Sequence, residues 1–423
     1  MMNAYIAGAI FILAYLLFIF LPQKRTLVAL VATFVLIAFR IISFQDAFCL
    51  VNWNVIGIFV GTLLVANAFM ESRLPAYLAE IIVNRSKNTA VSILLICAMT
   101  GFISAFVENV ATVLIVAPIA LSLAKKLNMN PVKMLIAIAI SSNLQGAATL
   151  IGDPPSMLLG GYAKMNFMDF FFYQGRLSIF FAVEIGALAS FVILYFVFRD
   201  QKDKIELPMS EHVRSWVPTI ILVFLIVFLA FSSFLDTGFS YIAGVLCMVF
   251  GLISSIWELL VYRKSFLKNI RSLDWETTFF LVGVFVLVGS VALTGWLEAI
   301  SGALSGFVGT HVFLAYILLI IVAVSASAFV DNVPFLAAML PVALSMSGRL
   351  HIHPSLLLFG LLIGASLGGN ITPIGASANI VACGLLKKQG YTVSFKEFFK
   401  IGFPFTIVAV FAAAVFVWIV WGR

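Results

Sequence analysis

Two short motifs place an acid beside an asparagine in the middle of long apolar stretches. These are Glu108-Asn109-Val110 within 89–123 and Asp331-Asn332-Val333 within 311–348. An ionisable side chain at hydrocarbon depth costs roughly 2.5–3.5 kcal/mol on insertion scales. It needs a partner, an aqueous cavity or a proton. Desolvation there favours the neutral form. A carboxylate poised in this way can alternate between holding a proton and holding a cation. Asn109 and Asn332 add neutral oxygen ligands without adding charge. Glu108 and Asp331 are therefore the candidate ion-coupling groups, Asp331 first. Each motif lies midway along a stretch that can fold as a re-entrant hairpin, with its tip at the asparagine. A pair of ordinary crossings with the acid in an aqueous turn satisfies charge parity equally.

A second pair of motifs concentrates Gly, Pro and small polar residues inside apolar spans of some thirty residues. The first runs Ser141–Ser156 and contains Ser142, Asn143, Thr149, Gly152, Asp153, Pro154 and Pro155. The second runs Gly364–Asn379 and contains Asn370, Thr372, Gly375, Ser377 and Asn379. Pro lacks an N–H and Gly tolerates any φ, so both unwind a helix. Unwound backbone at membrane depth is tolerated only where it is buried or lines a cavity. The freed carbonyls and the Asn, Thr and Ser oxygens are hard ligands, suited to sodium or to hydrogen-bonding an oxyanion. Breaks are expected around 146–155 and 369–378, facing each other. Asp153 sits at the first break, and its counterpart in the second is Ala376.

Other polar residues suggest less. Glu184 lies a third of the way into an apolar span and can pair with a neighbouring helix. His311, His351 and His353 fall near segment ends, as solvated loop residues do. Arg40 is placed to snorkel. Cys49, Cys97, Cys247 and Cys383 have neither metal-ligand nor disulfide spacing and read as packing residues. No Gly-rich Lys-Ser/Thr loop is present, which argues against nucleotide hydrolysis by this chain.

The two sets of motifs belong to one duplicated unit. Ser104-Ala-Phe-Val-Glu-Asn-Val110 recurs as Ser327-Ala-Phe-Val-Asp-Asn-Val333 at an offset of 223. Pro118 maps to Pro341, Pro131 to Pro354, Thr149 to Thr372 and Gly152 to Gly375. Between 104 and 152 the copies share 19 identities in 49 gapless positions. Chance would give about four or five, so the match marks a repeat. Upstream, Trp53 maps to Trp275 and Gly61 to Gly283 with one residue of slippage.

Composition shows what positions these motifs. Of 423 residues, 63% are hydrophobic and 10% charged, against about 25% charged in a soluble domain. Runs long enough to cross a bilayer are 4–21, 26–43, 53–70, 132–163, 177–198, 216–233, 239–259, 277–293, 355–388 and 402–421. The shorter, mixed segments 71–87 and 294–310 read as amphipathic interfacial helices. The expected class is an all-α polytopic membrane protein of about ten crossings plus two hairpins. All but five of the 25 lysines and arginines fall on one side. The five are Lys164, Arg176, Arg349, Arg423 and the intrahelical Arg40. The positive-inside rule then places both termini outside the cytoplasm, in a cell inner (plasma) membrane. It also accounts for the net charge of +7 without nucleic acid. Residues 1–52 are additional N-terminal helices, 53–198 the first repeat and 275–423 the second. Between them, 199–274 holds a charged cytoplasmic linker (199–215), two helices and a second cytoplasmic loop. Five crossings separate equivalent repeat starts, so the second copy is inverted, as in many secondary transporters.

The motifs Phe106–Val110, Ala147–Pro155, Phe329–Pro334 and Gly368–Asn379 together resemble the ion transporter superfamily. The branch is that of arsenite permeases, NhaD-type sodium/proton antiporters and the P protein, which is citrate transporter-like. The resemblance covers about 53–421 and does not name a substrate. It implies a scaffold of about 1–88 with 199–310, and a transport domain of about 89–198 with 311–421. It also implies a homodimer and an elevator-type movement. The related sodium–dicarboxylate branch carries Ser-Asn-Thr where this chain has Glu108-Asn109-Val110 and Asp331-Asn332-Val333. That departure favours a titratable carboxylate.

The expected function is secondary transport rather than catalysis. An antiporter driven by Na+ or H+ would move sodium or an inorganic oxyanion such as arsenite, with no cofactor beyond the coupling ion. Sodium-coupled di- or tricarboxylate symport is the alternative, weakened because no Lys or Arg falls in the motifs. A channel, or the membrane subunit of a pump with a soluble ATPase partner, is the alternative of another class.

Overall fold

The apolar runs form helices whose ends are set by short polar caps. The computed structural model describes residues 2–204, 211–236, 238–263 and 265–422. An N-terminal pair, α1 (Met2–Phe20) and α2 (Arg25–Ala38), precedes the first repeat. The span expected over 26–43 stops at Ala38, and Arg40 takes a left-handed φ of 54°. A short helix not expected from the sequence follows, α3 (Phe44–Leu50). It starts at a capping box in which Ser43 and Asp46 satisfy each other's backbone N–H groups.

The first repeat holds α4 (Trp53–Glu71), α5 (Leu74–Arg85), α6 (Thr89–Ser104), α7 (Asn109–Lys126), α8 (Val132–Gly146), α9 (Pro154–Ala163) and α10 (Ile179–Phe198). The connecting segment contains α11 (Val217–Ser232), α12 (Ile242–Tyr262) and α13 (Phe266–Arg271). The second repeat runs α14 (Trp275–Leu293), α15 (Trp296–Val308), α16 (Val312–Ser327), α17 (Asn332–Arg349), α18 (Pro354–Gly368), α19 (Ser377–Lys388) and α20 (Phe395–Trp421). Equivalent helices start behind equivalent caps: Asn52 accepts from Val55 N at 3.1 Å, and Asp274 from Thr277 N at 2.9 Å. Among the described residues eight helices are long and apolar enough to cross a membrane. Seven of the ten expected runs supply one of them; 132–163 is broken in two, α2 has 14 residues and α11 has 16, and the eighth is α7 of the first hairpin. The chain is an integral, multi-pass membrane protein.

One feature departs from the all-helical expectation. Phe172–Tyr173 and Arg176–Leu177 pair as a minimal antiparallel hairpin. Gln174 and Gly175 both take positive φ, the geometry a two-residue turn demands.

Small residues set the closest helix packing. A Cβ on Gly61 of α4 would overlap the Cys247 carbonyl group of α12. The two helices therefore pack backbone to backbone, where membrane helices gain most of their attraction. The expected amphipathic segments are both helical. In the second of them, α15 meets α16 at a bend of 118°.

Both acid–asparagine motifs form the tips of helical hairpins, α6–α7 and α16–α17. At both tips the asparagine is buried: Asn109 and Asn332 are 7% and 8% exposed. Both breaks are present as well. Helix stops after Gly146 and resumes at Pro154. In the second copy it tightens at Gly369–Ile371 and resumes at Ser377. Each break is stapled to the hairpin tip of its own repeat by the same bond. Thr149 Oγ1 donates to the Ala105 carbonyl, and Thr372 Oγ1 to the Ala328 carbonyl. Glycine is required beside each staple, because a Cβ on Gly152 would strike the Gly146 carbonyl oxygen, and one on Gly375 that of Gly369. The duplication seen in the sequence is thus a duplication of contacts.

Candidate functional site

Four helices begin at these tips and breaks, and their N-termini converge on one cavity of about 340 Å³. They are α7, α9, α17 and α19. The cavity wall carries Asn109, Val110 and Ala111, then Pro154 and Pro155, then Asn332 and Val333, and finally Ser377 and Ala378. Each helix N-terminus presents unsatisfied N–H groups and a partial positive charge. Three of the four are capped by a carboxylate. Glu108 accepts from Ala111 N at 3.0 Å. Asp153 accepts from Ser156 N at 2.9 Å. Asp331 accepts from Val333 N at 3.0 Å. The fourth cap position, at α19, is Ala376, which has no side-chain acceptor. The asymmetry between Asp153 and Ala376 in the sequence is therefore a difference in capping at equivalent helix starts.

Behind the wall, a buried polar network ties the tips and breaks together. Ser104 Oγ donates to Asn109 Oδ1 at 2.6 Å. Ser142 Oγ donates to Ser104 Oγ at 2.9 Å. Asn109 Nδ2 donates to Asn143 Oδ1 at 3.3 Å. Asn143 Nδ2 then reaches the second repeat, donating to Asn370 Oδ1 and to the Ser366 carbonyl, both at 3.0 Å. Both breaks border the same cavity, the first through Asp153, Pro154 and Pro155 and the second through Ser377 and Ala378. In the second break Asn379 Nδ2 donates to Gly369 O at 3.0 Å. Its counterpart Ser156 donates Oγ to Gly146 O at 3.3 Å.

The structure divides the sequence-derived residues into two groups. Glu108, Asn109, Asn143, Asp153, Pro154, Pro155, Asp331, Asn332 and Ser377 line the cavity. Ser142, Thr149, Gly152, Asn370, Thr372, Gly375 and Asn379 lie behind it. The threonines, read from sequence as oxygen ligands, donate their hydroxyls to backbone carbonyls. Glu184 has the neighbouring-helix partner expected of it, accepting from Gln145 Nε2 at 3.1 Å. Of the histidines His311, His351 and His353, the first two are exposed. His353 is not a free loop residue: it accepts from Ser355 N at 3.2 Å and stacks near Trp421, 4.9 Å between ring centroids.

Sequence reading missed Arg25 and Asp274. No Lys or Arg falls within the motifs, yet Arg25, from the start of α2, lines the cavity and forms an ion pair with Asp331. Asp274, the N-cap of α14, lines it too. A usable signal existed for Arg25: a cation at the first residue of a helix opposes the helix dipole, so its position invites a second explanation. Among the described residues four carboxylates (Glu108, Asp153, Asp274 and Asp331) and one guanidinium line the cavity. Among the described residues no group of three or more His, Cys, Asp and Glu side chains is close enough to hold a metal ion.

Broken helices, buried hairpin tips and a polar cavity inside a bundle of apolar helices define a membrane transporter. The chain belongs to the citrate transporter family, which matches residues 15–351 and 270–423. It is 29% identical to a 46 kDa membrane protein of Mycobacterium leprae over 98% of each chain. It is 27% identical to the P protein of Mus musculus, over 96% of this chain and 59% of that one. Its fold is similar to that of the YdaH transporter of Alcanivorax borkumensis. That match has a TM-score of 0.63 and 13% identity, and covers 89% of this chain and 86% of that one.

Proposed function

We propose that this chain is a secondary active antiporter in which sodium or protons, exchanging at Glu108 and Asp331, drive a small inorganic ion or oxyanion across the membrane. The observation that carries this reading is the charge of the cavity: four carboxylates against one guanidinium, where both hairpin tips and both breaks meet. Such a wall attracts cations and tolerates a neutral hydroxylated species such as arsenite. It repels a free tricarboxylate. The positive-inside reading has this cavity facing the cytoplasm, because Arg25 and Asp274 adjoin the basic ends at Lys24 and at Lys268 and Arg271. Alternating access would then carry the hairpins and broken helices past the remaining helices, with the second copy inverted and two chains forming a homodimer. Sodium-coupled carboxylate symport is the second reading. Arg25 and four converging helix N-termini favour it, as all of them can bind a carboxylate.

The deciding experiment is flux in proteoliposomes under imposed sodium or pH gradients, with sodium, arsenite and citrate as cargo. Antiport predicts gradient-driven movement of sodium or arsenite that is lost in Asp331→Asn and Glu108→Gln. Citrate uptake that needs inward sodium would replace this reading with symport. Full flux in both variants would remove the two carboxylates from coupling.

A further inference from the structure

The pair between Arg25 and Asp331 joins parts of the chain 306 residues apart. Arg25 belongs to the N-terminal helix pair, which lies outside the duplicated unit. Asp331 is the tip of the second hairpin. As the first residue of α2, Arg25 opposes that helix's dipole, so Asp331 compensates an otherwise unfavourable placement. The guanidinium also sits over the Phe280 ring of α14, 5.1 Å from its centroid, and Phe18 of α1 packs edge-on against the same ring. A second tie reaches the same tip: Tyr15 Oη donates to the Pro334 carbonyl at 2.9 Å.

The first hairpin is treated differently. Glu108, the counterpart of Asp331, faces the same cavity, but the cavity's guanidinium goes to Asp331. The Arg25 and Asp331 side chains are 17% and 23% exposed. Both side chains are partly exposed, so a cation from solution can reach Asp331. Glu108 and Asn332 line the same cavity. Asp153 adds a second reason to place a cation here: its carboxylate is 2% exposed, and among the described residues no donor reaches its Oδ2. Among the described residues no His or Lys lines the cavity.

We propose that Arg25 is an internal cation that holds Asp331, and with it the second hairpin tip, until an alkali cation from solution takes its place. The proposal rests on the antiport reading above and names the coupling ion as a sodium-class cation. The guanidinium and the ion carry the same charge, so Asp331 has a positive partner in either state. They cannot occupy Asp331 together, so the empty carrier stays tied to the N-terminal helices and only the loaded one is released.

The test is sodium titration of the purified full chain at fixed pH, with choline keeping ionic strength constant and thermal unfolding as the readout. Removing the competitor in Arg25→Gln should tighten apparent sodium affinity roughly tenfold, a difference of about 1.4 kcal/mol. Asp331→Asn should abolish the sodium response with or without Arg25. Arg25→Lys, which keeps the charge in a shorter reach, should fall between, and serves alone if the glutamine variant does not fold. Equal sodium affinity with and without the guanidinium overturns the proposal. So does sodium stabilisation of Asp331→Asn, or no sodium response in any variant. Loss of flux in Asp331→Asn together with an unchanged affinity in Arg25→Gln would sink the exchange alone and leave the coupling role of Asp331 standing.

Discussion

Asn143 and Asn370 clasp the two copies of the duplicated unit. Asn143 Nδ2 donates to Asn370 Oδ1 at 3.0 Å, and Asn370 Nδ2 donates to the Ile140 carbonyl at 3.2 Å. Both side chains are almost fully buried, at 2% and 0% exposure. The residues are not repeat equivalents: Asn143 corresponds to Ser366, and Asn370 to Ala147. The clasp therefore arises from the meeting of the copies and not from the pattern within either.

Removing one side of the clasp strands the other. Asn370→Leu should lower stability by about 1–3 kcal/mol, the cost of a buried polar group left unsatisfied. Asn143→Leu should cost at least as much, because it also strands Asn109 Nδ2. The double variant should lose less than the sum, since a pair removed together leaves fewer orphans. Thermal unfolding in detergent reads all three. Strictly additive losses would show that the amides do not act as a pair.

The two threonine staples should behave alike. Thr149→Val and Thr372→Val keep the shape and delete the donor to Ala105 O or Ala328 O. Each should cost about 1–3 kcal/mol, with serine at either position recovering most of it. Unchanged unfolding temperatures in both valine variants would mean that the breaks hold their geometry without the staples.

Capping and charge can be separated at Asp153. Asparagine caps a helix as well as aspartate does, whereas alanine costs about 1 kcal/mol. Asp153→Asn should therefore keep near-native stability but lose gradient-driven flux. Asp153→Ala should lose both. Full flux in the asparagine variant would confine Asp153 to its capping role.

Much of the fold was legible because its signals are local. Runs of apolar residues mark helices wherever they occur. Helix α3 lies between the runs 26–43 and 53–70 and was missed, although Ser43 and Asp46 mark its start. The duplication was legible because Ser104–Gly152 and Ser327–Gly375 keep the same residues at one spacing. Thr149 and Gly152 persist because each copy closes its own break onto its own hairpin. Their role as staples was not legible: spacing shows that a hydroxyl is needed, but not whether it faces a ligand or a carbonyl.

The sequence by itself determined that this is a multi-pass membrane protein with a duplicated acid–asparagine motif and two broken helices. Each of those features follows from residues near one another in the chain, whose backbone preferences and desolvation costs act wherever the segment lies. Only the tertiary structure decided which polar groups share the cavity. Arg25 and Asp331 meet across 306 residues, and Asn143 and Asn370 across 227. Such pairs depend on how whole helices pack, and burial in a low-dielectric interior makes an unmatched polar group costly enough to enforce them.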